Sequence, residues 1–312
     1  MRLIRGLHNL RPLPQGSAVT IGNFDGVHLG HQAVLGRLAE RAEELGLPTV
    51  VVCFEPQPME YFRPQQAPAR LTRLREKLVA LRRFSVDQVL CLRFNRQLAE
   101  MEPEDFVRRV LVDGLRVKYL VVGDDFRFGR DRQGDFAYLQ KAGETFGFQV
   151  VNMHTFALQH ERVSSTRVRE ALAAGDMAAA EQYLGRPYRM LGRVAHGDKR
   201  VRTIGFPTAN VFLHRQRTPV QGVFAVEVFG LDREPVQGVA NVGIRPTVDG
   251  TRALLEIHLF DFDQDIYGRY IAVDFLHKLR DEVRFDSFAA LQAQIRKDVA
   301  AARAFFADND NR

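Results

Sequence analysis

The first half of the chain alternates short apolar runs with stretches in which apolar residues recur every three or four positions. SAVTIG (17–22), PTVVVCF (48–54), VDQVLCL (86–92), VKYLVVG (117–123) and FQVVNM (148–153) read as strands. They are nearly continuously apolar, as parallel strands covered on both faces are. Between the first two, residues 28–46 read as a helix with Val34, Leu35, Leu38, Ala42 and Leu45 on one face. Further helices are expected at about 71–83, from Pro103 onward in EPEDFVRRVLVDGL, and near 135–146. Strands and helices alternating at this rhythm imply an α/β, doubly wound, Rossmann-like sheet.

The pattern changes near YLGRP (183–187). After it come RMLGRVAHG, TANVFL, GVFAVEVFG, VQGVANVG, LLEIHLFDF and GRYIAVDFL, with no helical stretch between them. Several alternate polar and apolar residues, and Gly-rich turns separate them, so an antiparallel sheet or barrel is expected. A final amphipathic helix at about 286–306 follows Asp286 and Ser287, residue types suited to an N-cap. We therefore divide the chain into domains 1–184 and 185–312.

A length of 312 residues with 46% hydrophobic content fits two packed domains. No apolar run approaches the roughly 18 residues that span a bilayer. The start, MRLIRGLHNLRPLPQG, is charged and lacks the apolar core of a secretory signal, so a cytoplasmic protein without a membrane partner is expected. Cys53 and Cys91 each lie in an apolar run and read as reduced core thiols. The net charge of +6 is spread evenly: residues 1–185 carry 25 Lys and Arg against 22 Asp and Glu, and 186–312 carry 19 against 16. An even excess is no basic stripe, so no nucleic-acid partner is expected. A phosphate site is enough to explain it.

GNFDGVHLGH (22–31) follows the first strand and opens the first helix. Ligands of open α/β sheets bind outside the carboxyl ends of the strands, and helix N-termini attract phosphates. His28 and His31, three apart, share a helix face and can donate hydrogen bonds to charge developing in phosphoryl transfer. The same spacing also suits a structural pair. SSTRVR (164–169) suits an N-cap, and equally a phosphate-binding helix end with Arg169 adding charge. FEPQP (54–58) and GDDFRFG (123–129) each follow a strand. Phe126 and Phe128 can stack on a flat ring, or plug their loop into the core.

In the second half, Thr208 and Asn210 of GFPTAN (205–210) lie two apart and face one side of an extended chain. They are either an ordinary strand edge or neutral oxygens for a magnesium ion that shares substrate phosphates. Glu256 lies on the face opposite Leu255, Ile257 and Leu259. It is either exposed or a partly desolvated general base.

GNFDGVHLGH contains an HxGH pattern similar to that of the nucleotidyltransferase superfamily, and SSTRVR resembles its ISSTxxR signature, with Val163 in the Ile position. Together with FEPQP, GDDFRFG, GFPTAN, NVGIRPT (241–247) and LEIHLFDFDQDIYG (255–268), in that order, the chain resembles prokaryotic bifunctional riboflavin kinase/FAD synthetases from end to end. The resemblance implies a C-terminal six-stranded barrel with a terminal helix. It implies riboflavin, FMN, FAD and ATP as substrates and products, and Mg2+ as the cofactor. For adenylyl transfer it implies ATP contacts from Gly22, Asn23, Phe24, Asp25, His28, Gly30, His31, Ser164, Ser165, Thr166 and Arg169, with His28 and His31 catalytic. Flavin contacts would come from Phe54, Pro56, Pro58, Asp125, Phe126 and Phe128. For the kinase it implies ATP contacts from Gly197, Gly205, Pro207, Thr208 and Asn210, metal at Thr208 and Asn210, and Glu256 as the catalytic base. Two positions depart from the family pattern: Gln57 stands where many members have His, and Val201-Arg202 where many have Gly-Arg. Another adenylyl- or cytidylyltransferase is disfavoured by GFPTAN and Glu256. A non-catalytic flavin- or nucleic-acid-binding module is disfavoured by the intact motif set.

Overall fold

A computed structural model of the chain describes residues 1–11, 13–153, 157–158, 161–195, 206–215, 217–247 and 250–310. Two compact units are present, Met1–Pro68 with Thr72–Ser164, and Ala69–Leu71 with Ser165–Arg312.

The first unit runs β1 (Arg2–Arg5), β2 (Ser17–Ile21), α1 (Leu29–Leu45), β3 (Thr49–Glu55), α2 (Pro58–Phe62), α3 (Leu74–Leu81) and β4 (Gln88–Arg93). It continues with α4 (Arg96–Ala99), α5 (Pro103–Phe106), β5 (Val117–Gly123), α6 (Phe136–Phe146), β6 (Gln149–Met153) and the ribbon β7 (Ala157–Leu158) and β8 (Glu161–Arg162). Strands β1 to β6 form one parallel sheet in the order β1-β4-β3-β2-β5-β6. The chain moves from β2 outward through β3 and β4, then returns to the other side of β2 for β5 and β6. β2 is therefore the point where the strand order reverses, and the crevice at its carboxyl end is the expected ligand site.

Alternate residues of each strand face opposite layers, as a period of two requires. Val19, Ile21, Val52, Leu120 and Val122 pack with Phe106, Val110, Leu111 and Leu139 on one face. On the other, Val51, Cys53, Val89 and Cys91 pack with Leu35, Ala80 and Leu81, and Ala18, Tyr119 and Val121 with Leu38 and Ala42. Cys53 and Cys91 are free, buried register partners on β3 and β4, as the sequence predicts. Two details differ from the sequence pattern. Leu45 is 41% exposed, because α1 ends there as Gly46 turns left-handed at φ 64. β1 is an additional edge strand, unread because arginines bound its two apolar residues.

The second unit opens with α7 (Ser165–Ala174) and α8 (Met177–Leu184). Six strands follow: β9 (Tyr188–Ala195), β10 (Ala209–Phe212), β11 (Gly222–Phe229), β12 (Val236–Thr247), β13 (Gly250–Leu259) and β14 (Tyr270–Arg280). They close into an antiparallel barrel in the order β10-β13-β12-β11-β14-β9. Val211, Phe224, Val226, Ala240, Val242, Leu255, Ile257 and Phe275 fill it. On its outer surface Ala302 and Phe306 of α9 (Phe288–Asp310) cover Val223, Ala225, Val239 and Phe260. Ser287 caps α9, its hydroxyl accepting the Ala290 N–H at 3.2 Å.

Asp298 ties α9 to β14. Its carboxylate accepts two bonds from the Arg280 guanidinium, at 2.8 and 2.7 Å, and one from Gln294 at 2.9 Å. Asp298 is buried, so removing it leaves a largely buried guanidinium without its counter-ion. Asp298→Ala is expected to lower unfolding free energy by about 2–3 kcal/mol, read as a fall in urea midpoint at unchanged slope.

Candidate active sites

The segment between β2 and α1 sits at the switch point of the sheet, and its backbone is strained. Phe24, Gly26 and Val27 all take left-handed conformations, at φ 47, 84 and 44. A β-branched residue there is a genuine outlier, costing on the order of 1–3 kcal/mol. Burial offsets this, since Phe24 is 2% and Val27 0% exposed. A clamp from the start of α3 also holds the loop. The Asp25 carboxylate accepts the Thr72 N–H at 2.9 Å and the Thr72 hydroxyl at 3.2 Å, and that hydroxyl accepts the Gly26 N–H at 3.0 Å. Gly30 permits close approach on two sides, because a Cβ there would lie 3.2 Å from both the His28 ring and the Val163 carbonyl oxygen.

The loop ends on the two histidines. His28 is the N-cap of α1, its Nδ1 accepting the His31 N–H at 3.3 Å. This leaves Nε2 as the donor of a neutral His28. The two rings stack with centroids 3.7 Å apart. Burial first, then the nearby His28 and Lys77, holds the His31 imidazole well below its ordinary value of 6.5. His31 is therefore neutral at physiological pH, and its Nδ1 has no hydrogen-bond partner among the described residues. Two stacked imidazoles at a helix N-terminus offer N–H donors to an anion without adding a fixed pair of charges.

The strands flanking β2 contribute the neighbouring segments. FEPQP leaves β3, where Phe54 meets Phe94 edge-on at 5.9 Å and Phe94 meets Tyr61 and Phe62 at 5.5 Å each. Phe62 is 59% exposed, so this cluster presents an aromatic surface. Pro58 starts α2, and Gln57 is its buried N-cap, its amide nitrogen without a hydrogen-bond partner among the described residues. GDDFRFG leaves β5. Phe128 stacks on Phe126 at 5.6 Å and is buried against Phe106 and Tyr138, so it serves the core here. Asp125 pairs with Arg162 at 2.7 Å. Ser164 closes the first unit, whereas Ser165, Thr166 and Arg169 open the second in the first turns of α7. There the Arg169 Nε donates to the Ala69 carbonyl at 2.7 Å.

In the barrel, Glu256 of β13 lies directly between Asn210 of β10 and Asn241 of β12. Register partners across antiparallel strands share a face. All three project outward, because the alternate residues Val211, Val242, Leu255 and Ile257 fill the interior. Asn210 is buried, and its amide donates to the Thr208 carbonyl at 3.4 Å. The Asn241 amide oxygen has no hydrogen-bond partner among the described residues. The His258 ring nitrogen lies 3.0 Å from the Pro207 carbonyl oxygen, which fixes the GFPTAN segment beside β13. Neutral oxygens beside one carboxylate match a hard cation that keeps waters and shares substrate oxygens. No cluster of three or more His, Cys, Asp or Glu exists among the described residues, so an all-protein metal cage is not offered there. Gly197 and Gly205, and the departure at Val201, lie outside the described residues.

Two family models match this chain, FAD synthetase over residues 10–167 and riboflavin kinase over 184–306. Curated proteins named bifunctional riboflavin kinase/FMN adenylyltransferase are 55% identical to it. The Haemophilus influenzae relative matches over 98% of this chain and 99% of its own length, and that of Pseudomonas fluorescens over 100% of each. The chain belongs to the bifunctional riboflavin kinase/FMN adenylyltransferase family. A crystal structure titled as a macrolide-efflux protein from Streptococcus pneumoniae shares 31% identity and a TM-score of 0.82, covering 97% of this chain and 99% of that one. Among the described residues, no helix of the present chain is long and apolar enough to cross a membrane.

Membership of this family places the motifs in order along the chain, but several partners in the sites are visible only in three dimensions. Thr72 is 47 residues from the loop it clamps, and Asn241 is paired with Glu256 only through barrel register. Tyr61, Phe62 and Phe94 come together from two segments.

The depressed His31 value has a consequence for folding. Below about pH 6.5 the unfolded chain takes up a proton at this position and the folded chain does not, so stability present above that pH is lost as pH falls. His31→Asn removes this component. Urea midpoints measured from about pH 7.5 down to about pH 5 are expected to fall less steeply in the variant than in the parent.

Proposed function

We propose that the chain makes FAD from riboflavin in two ATP-dependent steps, each at its own site. The observation that carries this reading is that two family models tile one chain, one over the histidine loop and the other over the Glu256 barrel. Adenylyl transfer is assigned to residues 1–184 and the kinase to 185–312.

In the first step Glu256 accepts the proton of the riboflavin 5′-hydroxyl. The hydroxyl oxygen attacks the terminal phosphorus of ATP, and FMN and ADP leave. Thr208 and Asn210 would hold Mg2+, which neutralises charge on the transferring phosphoryl group when bound. Pro207, with Gly197 and Gly205, would shape the nucleotide-binding loops. In the second step a phosphate oxygen of FMN attacks the α-phosphorus of another ATP, and pyrophosphate leaves. That nucleophile is already an anion, so no general base is needed. His28 and His31 donate hydrogen bonds to the charge that builds up, while Ser165, Thr166 and Arg169 would take the leaving pyrophosphate. Phe54, Pro56, Pro58, Asp125 and Phe126 would line the flavin, with Phe128 buried behind Phe126. The chemistry calls on neither nucleic acid nor membrane and suits the cytoplasm.

Incubation with riboflavin, ATP and Mg2+, with the flavins separated over time, is expected to give FMN first and FAD after it. His28→Ala is expected to lower FAD formation by about 10²–10³-fold while FMN accumulates. Glu256→Ala is expected to lower FMN formation by about 10²–10⁴-fold while FAD still forms from supplied FMN. Loss of both activities from either change, in a folded protein, contradicts two separate sites.

A further inference from the structure

Lys77 has no place in the chemistry above, and its surroundings are unusual. It lies on α3, one turn beyond the Thr72 clamp, and is fully buried at 0% exposure. Its Nζ has no hydrogen-bond partner among the described residues. Ala80 and Leu81 of the same helix share one buried cluster with Cys53, Cys91, Phe24 and Val27, so α3 packs in the layer that holds the histidine loop. The Lys77 charge acts on His31, Cys53 and Cys91. An amine buried without a hydrogen-bond partner is costly. Local rules broken without compensation concentrate at functional sites.

We propose that Lys77 is a positioning residue for adenylyl transfer, a positive charge stored beneath the GNFDGVHLGH loop that draws the triphosphate of ATP onto it. The inference rests on the assignment of that loop to ATP. The loop already turns a helix N-terminus and two imidazole donors toward one place. None of these is a permanent cation, because His31 is held neutral. Lys77 would add positive charge from behind the loop, apart from the Arg169 assigned to the leaving pyrophosphate, and where water does not screen it.

The test compares Lys77→Met with the full-length parent. Methionine keeps length and apolar bulk while removing the charge, so the thermal midpoint is expected to stay or rise. The KM for ATP in FMN adenylylation is expected to increase about tenfold, as for one charge lost at short range, with a smaller change in kcat. Inhibition by inorganic tripolyphosphate is expected to weaken by a similar factor. The KM for FMN and the rate of riboflavin phosphorylation are expected to hold. A folded variant with unchanged ATP KM and unchanged tripolyphosphate inhibition overturns the proposal. So does an equal loss in ATP and FMN affinity, which marks a merely structural role. Should the methionine variant fail to fold, Lys77→Gln removes the same charge and is read by the same criteria. His31→Ala run alongside separates the two levels. If it keeps full FAD formation, the assignment of the loop falls, and this inference with it. If it loses FAD formation while Lys77→Met does not, only the role of Lys77 falls.

Discussion

Ten residues must leave β2, reverse direction and begin α1, and they do so through three left-handed residues, two of them not glycine. That constraint governs the first unit. A free peptide would relax it, so the surroundings must hold it. Asp25 and Thr72 do so with three hydrogen bonds, and Phe24 and Val27 do so by burial. The loop, α3 and the layer beneath β3 and β4 are thereby one piece. The stacked histidines and the neutral His31 stand at the end of this loop.

The barrel solves a different problem. A closed six-stranded sheet has an interior just wide enough for its own side chains, so reactive groups must stand outside or on the rim. Leu255 and Ile257 point inward, and Glu256 between them points outward. Register then aligns Asn210 and Asn241 on either side of it. A slip of one residue would bury the carboxylate and expose the core, so the apolar pattern that fills the barrel also fixes the face that carries Glu256.

Much of this is legible along the chain because it is local. The apolar runs of β2 to β6, the switch to successive strands after residue 187 and the histidine spacing are all patterns within a dozen residues. What the sequence hides is long-range. Nothing near Asp25 in the sequence shows that its carboxylate braces the loop through Thr72. Phe128 reads as a flavin platform or a plug, and in the structure it is buried in the core. Lys77 is buried on α3, and no pattern in the neighbouring residues marks it out. His28 and His31 read as neighbours on one helical face, but His28 is the cap itself and reaches His31 by stacking.

If the Asp25–Thr72 clamp holds the strained loop in its working form, losing it affects adenylyl transfer alone. Thr72→Val keeps the shape of the side chain and removes its hydroxyl bonds to Asp25 and Gly26. The measurement is kcat/KM for FAD formation from FMN and ATP, beside kcat/KM for FMN formation from riboflavin and ATP, in the same folded preparation. Thr72→Val is expected to lower the first by about tenfold or more, the size of one or two lost buried hydrogen bonds, and to leave the second unchanged. Equal values for FAD formation in parent and variant, or a parallel fall in both activities, would contradict it.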